Sequence, residues 1–163
     1  MSYFPGIDFT FMENFDNGSS KFAALVPPPP ADSFKYITQS QGAFEGFYSG
    51  VINAYNYNSF MLVTDTFYVL PTNGYEVYLE MNYKTNNTFG VGVVPIGLNT
   101  YFNPDTILEI KPNTEWNKIY IDLTSDVGVY PNAIGFKIFI GGYADPGNAN
   151  PEIYFDNIKL IHQ

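Results

Sequence analysis

Aromatic side chains set beside amides and acids are the residues in this chain best suited to chemistry. Tyr48, Tyr55, Asn56, Tyr57 and Asn58 make one such patch. Tyr101, Phe102 and Asn103 make a second beside a proline turn, and Tyr143 with Asp145 a third in a glycine-rich stretch. Aromatic planes cover the faces of sugar rings, while carboxylates, amides and hydroxyls bond their edges. The chemistry these patches suggest is carbohydrate recognition through Tyr48, Tyr55, Tyr57, Tyr143 and Asp145, with ordinary loop packing as the alternative for each. Trp116, the single tryptophan, belongs with them as a possible sugar platform. Its parity is opposite to that of Ile119, Ile121 and Leu123, so strict strand alternation places it outward. A twist or bulge at the start of its strand would bury it instead.

Groupings for catalysis are much thinner. There is no cysteine, which removes thiol chemistry, iron–sulfur clusters and cysteine zinc sites. The one histidine, His162, stands next to the last residue, which leaves histidine base catalysis without a plausible centre. Glu45, Asp65, Glu76, Glu80 and Glu109 could serve glycoside hydrolysis, which needs two acids roughly 5–9 Å apart. No motif fixes such a pair. Glu76 and Glu80 share one face of one strand and would stand about 13 Å apart at strand rise. No nucleophile elbow, phosphate loop or dinucleotide fingerprint occurs. The expectation is a domain that is not an enzyme.

Charge narrows the partners. Seven basic residues, all lysine, face 16 acidic ones in 163 residues, for a formal charge of −9. That balance argues against any nucleic acid partner. No apolar run is long enough for this domain to insert into a membrane. The start, Met1-Ser2-Tyr3-Phe4-Pro5-Gly6, reads as neither signal peptide nor anchor. The 14 tyrosines, 12 prolines and 14 glycines, with abundant Asn and Thr, suit an extracellular surface instead. The expected setting is therefore outside the cell or on an outer membrane, reached through a secretion signal or lipid anchor not in this sequence.

The elements that must position these residues read almost wholly as strands. Val77, Leu79, Met81 and Tyr83 alternate with polar neighbours, as do Ile119, Ile121 and Leu123, and Ile134, Phe136, Ile138 and Ile140. Further strands are expected at Tyr36–Thr38, Ser59–Thr64, Thr66–Leu70, Phe89–Val94, Ile107–Ile110 and Ile153–Leu160. Asn73-Gly74 and Asn86-Asn87 read as hairpin turns. About ten short strands at this spacing predict an all-β fold, a two-sheet antiparallel sandwich. One domain over residues 8–163 is expected, after a tail or expression remnant at 1–7, with Pro27–Pro30 as a stiff loop within it.

Phe15-Asp16-Asn17-Gly18 near the start and Tyr154-Phe155-Asp156-Asn157-Ile158-Lys159-Leu160 near the end resemble the opening and closing strands of galactose-binding-like jelly rolls, the sandwich of many carbohydrate-binding modules. With Val77–Lys84, Phe89-Gly90-Val91-Gly92 and Trp116–Leu123, the chain looks like the C-terminal jelly-roll domain of surface lipoproteins from Bacteroidetes. The resemblance implies a jelly roll at the cell surface. It also implies a structural Ca²⁺ where the first strand meets the last, with Asp16 and Asp156 as carboxylate ligands. The alternative for these two is a turn at Asp16 and amide hydrogen bonds at Asp156. Two functions stay open: a module that binds a polysaccharide, and a structural or interaction domain whose partner is another surface protein.

Overall fold

The structure, a computed structural model, describes residues 8–24, 34–38, 42–54, 59–97 and 105–162. Eleven strands and one short helix follow in order: β1 (Asp8–Glu13), β2 (Phe22–Ala24), β3 (Phe34–Thr38), β4 (Tyr48–Asn53), β5 (Ser59–Thr64), β6 (Val77–Thr85), β7 (Phe89–Ile96), β8 (Asp105–Ile110), β9 (Asn113–Asp122), α1 (Thr124–Gly128), β10 (Gly135–Tyr143) and β11 (Glu152–His162). They form two antiparallel sheets. One has the order β3-β4-β11-β6-β9, with β1 also paired to β11, and the other β2-β5-β10-β7-β8. This is the two-sheet antiparallel sandwich that the alternating runs predict, in the jelly-roll form that the resemblance implies.

Alternation explains the packing. Val77, Leu79 and Met81 point inward from β6, and Val91 and Val93 from β7, all fully buried. Ile138 and Ile140 of β10 and Ile153 and Phe155 of β11 fill the space between the sheets. An aromatic row closes one side: the Phe15 and Phe155 rings lie 5.6 Å apart, Phe22 and Phe155 6.1 Å, and Phe11 and Phe22 6.0 Å. β1 and β4 share one edge of β11, β4 pairing with Glu152–Phe155 and β1 with Ile158–His162. They meet opposite Asp156 and Asn157, where the pairing of β11 with β6 also shifts register.

Several local expectations differ. Thr66–Leu70 forms no strand; it contributes one isolated bridge, Tyr68 to Phe136. Asn73-Gly74 and Asn86-Asn87 do not turn hairpins, because β5 and β6, and then β6 and β7, belong to opposite sheets. Strand β4 (Tyr48–Asn53) is absent from the strands that the alternation predicts. Pro27–Pro30, Tyr55, Tyr57 and Tyr101–Asn103 lie outside the described residues.

Candidate functional site

The outer face of the second sheet carries a cleft. Antiparallel register sets Gly141 of β10 between Met61 of β5 and Gly90 of β7, and Phe139 between Val63 and Gly92. Val63, Val94 and Phe139, with Met61 and Ile96, make a second apolar cluster on this face, separate from the core. The glycines keep its centre low. A Cβ at Gly141 would lie 2.7 Å from the Phe139 ring and 2.9 Å from the Phe60 carbonyl, and one at Gly90 2.8 Å from the Thr106 methyl. The result is a cleft of about 620 Å³ across β5, β10, β7 and β8. That volume falls in the range of small-ligand sites, about 300–1,000 Å³.

Polar and aromatic groups stand around this floor. Tyr143, the last residue of β10, holds its ring at the rim with 77% of its surface exposed. Asp145 follows in the loop to β11, and its Oδ2 accepts from the Thr88 amide at 2.7 Å. Across the cleft, Lys111 pairs with Glu109, both side chains well exposed. A flat ring, carboxylates and an ammonium around an apolar and glycine floor can hold a polyhydroxylated ring by its face and its edges.

Of the other predicted aromatics, Tyr55 and Tyr57 lie outside the described residues, and Trp116 and Tyr48 do not join Tyr143. Trp116 stands on the outer face of the first sheet, on the opposite side of the sandwich, as its parity requires. Its ring is engaged: Phe44 tilts against it at 5.6 Å, and Lys84 Nζ lies 5.3 Å from it and 4.6 Å from the Tyr154 ring. Tyr48 packs against the core. Of the predicted ligand set, the structure thus brings together Tyr143 and Asp145. Sequence reasoning missed Met61, Phe139 and the Glu109–Lys111 pair, which become neighbours only through sheet order.

Asp16 and Asp156 flank the junction of β1 with β4. Asp16 Oδ1 accepts from the amides of Phe47 and Tyr48, at 2.5 and 3.3 Å, and Asp156 Oδ2 from Glu45 at 3.1 Å. Asp156 Oδ1 takes the Asn157 amide at 2.8 Å. Both acids therefore hold the segment ahead of β4. Asp156 is fully buried, and its carboxyl pKa is pushed up to about 6, chiefly by desolvation, with the Asp16 charge adding to it. Beside it on the same face, Asn82 Oδ1 of β6 and Ser49 Oγ of β4 are buried without a hydrogen-bond partner. Orphaned oxygens next to a carboxylate destabilised by burial are hard donors of the kind Ca²⁺ takes. Among the described residues no three His, Cys, Asp or Glu side chains group as a metal site. Such a site would rely on Asn, Ser and carbonyl oxygens to complete the coordination.

No protein-family model matches the chain, and no curated protein does. Solved structures share its fold. The xylan-binding CBM22-1 domain of Xyn10C from Paenibacillus barcinonensis superposes with a TM-score of 0.64 at 14% identity, over 95% of this chain and 94% of that one. TmCBM61, solved in complex with β-1,4-galactotriose, gives 0.58 at 13% identity, covering 92% and 94%. The K2 adhesin domain of Lys-gingipain gives 0.64 at 13% identity, covering 94% and 98%. The fold is thus the jelly roll found in several families of carbohydrate-binding modules.

Proposed function

We propose that the chain is a non-catalytic domain that binds a neutral polysaccharide in the cleft of the five-stranded sheet. The observation that carries this reading is the exposed Tyr143 ring at the rim of a glycine-floored cleft that crosses four strands. Xylan and β-1,4-galactan are the first glycans to test, because domains of this fold bind chains of those kinds. The composition supports a place at the cell surface, as part of a secreted protein or a surface lipoprotein. A Ca²⁺ held by Asp16 and Asp156, with Asn82 and Ser49 beside the latter, would add stability to the β1–β4 junction and lies outside the cleft.

A glycan array in millimolar calcium and in chelator, repeated with Tyr143→Ala, tests the reading. Binding of a neutral glycan that falls about tenfold or more in Tyr143→Ala is expected, with the melting temperature unchanged. A blank array from folded protein would overturn it.

A second reading, an interaction domain with no sugar ligand, draws on a different observation. Phe67, Val69, Tyr75, Val129 and Ile134 are exposed large hydrophobics in the segments between β5 and β6 and between α1 and β10. The blank array would favour this reading.

A further inference from the structure

Behind the cleft rim lies a side chain that touches no solvent and spends three of its four hydrogen bonds on Tyr143 and the loop that follows it. Asn87, between β6 and β7, is fully buried. Its Nδ2 donates to the carbonyls of Thr88 and Tyr143, at 2.7 and 2.8 Å. Its Oδ1 accepts from the Asp145 amide at 2.7 Å and from Asn148 Nδ2 at 3.1 Å. Two donors and two acceptor sites are all that a carboxamide has, and each is used. The Asp145 carboxylate closes the ring by accepting the Thr88 amide. Asn86 fastens the far end of the same loop: its Oδ1 accepts from the Glu152 amide at 2.8 Å, and its Nδ2 donates to Asn150 at 3.0 Å.

We propose that Asn87 is the positioning residue of the glycan site, fixing Tyr143 and Asp145 at the rim without touching the sugar. The inference rests on the function proposed above and deepens it. Tyr143 carries a largely exposed ring at the end of a strand, where a loose loop would let it sample many orientations. A ring held in place before binding loses less entropy when a sugar stacks on it. No other side chain can replace this one. Aspartate lacks the two donors and would set a second carboxylate beside Asp145; glutamine is a methylene too long; alanine leaves the Tyr143 carbonyl and the Asp145 amide unpaired.

The test is a double-mutant cycle on Asn87→Ala and Tyr143→Ala, read by calorimetric titration with xylohexaose and β-1,4-galactotriose. Hydrogen exchange is followed in each variant. Asn87→Ala should weaken binding about tenfold in the wild-type background and by about threefold or less, through Asp145 alone, when Tyr143 is already alanine. The Asp145 amide should exchange about ten to a hundred times faster, with Ile138 and Ile140 unchanged. Asn148→Ala, which removes one of the four bonds from an accessible side chain, should give a smaller change in the same direction and covers the case in which Asn87→Ala does not fold. Wild-type protection at Asp145, binding within about twofold of wild type, or full additivity in the cycle would overturn the proposal. If the wild-type protein binds neither these two sugars nor any glycan on the array, the glycan reading fails, and hydrogen exchange alone decides whether Asn87 holds the rim.

Discussion

Phe15 and Asn157 are the two non-glycine residues with left-handed backbone among the described residues, at φ 57° and 49°, and both sit at the junction of β1 with β4. Asparagine tolerates that region; a buried phenylalanine is there only because its surroundings force it. Glu13 supplies much of that force. It is 3% exposed, and its two carboxylate oxygens accept from the amides of Phe15 and Lys21, at 2.8 and 2.7 Å. Glu13→Ala would leave both amides unpaired and should lower stability by about 2–3 kcal/mol, measured by urea unfolding. Gly46 is fixed twice over, by φ 72° and because a Cβ there would lie 2.2 Å from the Asp16 carboxylate. Asp156 sets the pH response of this corner. Its folded pKa, about 6, stands above the unfolded value, so the folded state holds the extra proton. Its contribution to stability is therefore complete below the unfolded value near 3.8 and is lost as pH rises through about 6, on the order of 3 kcal/mol. In chelator, Asp156→Asn, which carries no titrating proton, should flatten the slope of the melting temperature between these two values. Calcium should raise the melting temperature of wild type at pH 7 and leave that of Asp156→Asn alone; an equal shift in both would remove Asp156 from any metal site.

At the scale of elements, the sequence showed most clearly what repeats every second residue. β6, β10 and β11 are legible because one face of each is a row of Val, Leu, Ile, Met or Phe that the opposing sheet buries, and β9 shows the same alternation at its end, in Ile119 and Ile121. β4 is not legible: Tyr48-Ser49-Gly50-Val51-Ile52-Asn53 mixes a glycine and a serine into a segment buried on both faces. Gly50 is there for space, since a Cβ would lie 2.7 Å from the Phe15 ring and 2.9 Å from that of Phe155. Gly50→Ala should lower stability by about 1–3 kcal/mol through overpacking, read by chemical denaturation. Asn86-Asn87 misled for a related reason. The dipeptide has turn chemistry, but it carries the chain from one sheet to the other, and the Asn87 carboxamide is spent on a loop 56 residues away. Such a bond depends on sheet order, which pairs β7 with β10, and no local pattern encodes it. The same holds for Trp116: its parity gave the correct face, while its neighbours Phe44 and Lys84 come from elements remote in sequence. Glu80 shows the converse. It alternates as a surface residue, yet it is nearly buried between Lys118 and Lys159 from the strands on either side, at 2.8 and 3.3 Å. Burial pushes its carboxyl pKa up, but the two lysines outweigh this and hold it below the usual range.

For the whole molecule, the distribution of its few cations decides what the cleft can take. Lys118 and Lys159 are committed to Glu80, Lys84 lies between Trp116 and Tyr154, and Lys137 donates to the Asp65 carbonyl. Lys21 lies over the Phe11 ring. Among the described residues Lys111 alone stands at the cleft, and it is paired there with Glu109, while Asp145 adds a second acid at the opposite rim. With a formal charge of −9, the long-range field repels anions, and at the cleft two carboxylates face one ammonium. A polyuronate or sulfated glycan would bring charge into a site where the described residues offer no free cation to meet it. A neutral chain meets no such barrier, since its contacts are stacking on Tyr143 and hydrogen bonds at short range, which salt scarcely screens. Polygalacturonate and heparin should therefore fail to bind at about 0.15 M salt, whereas affinity for a neutral glycan should change less than about twofold between 0.05 and 0.5 M. Titrations across that salt series check both. Tight binding of heparin that weakens steeply with salt would mean that cations beyond the described residues form the site, and would move it away from the five-stranded sheet.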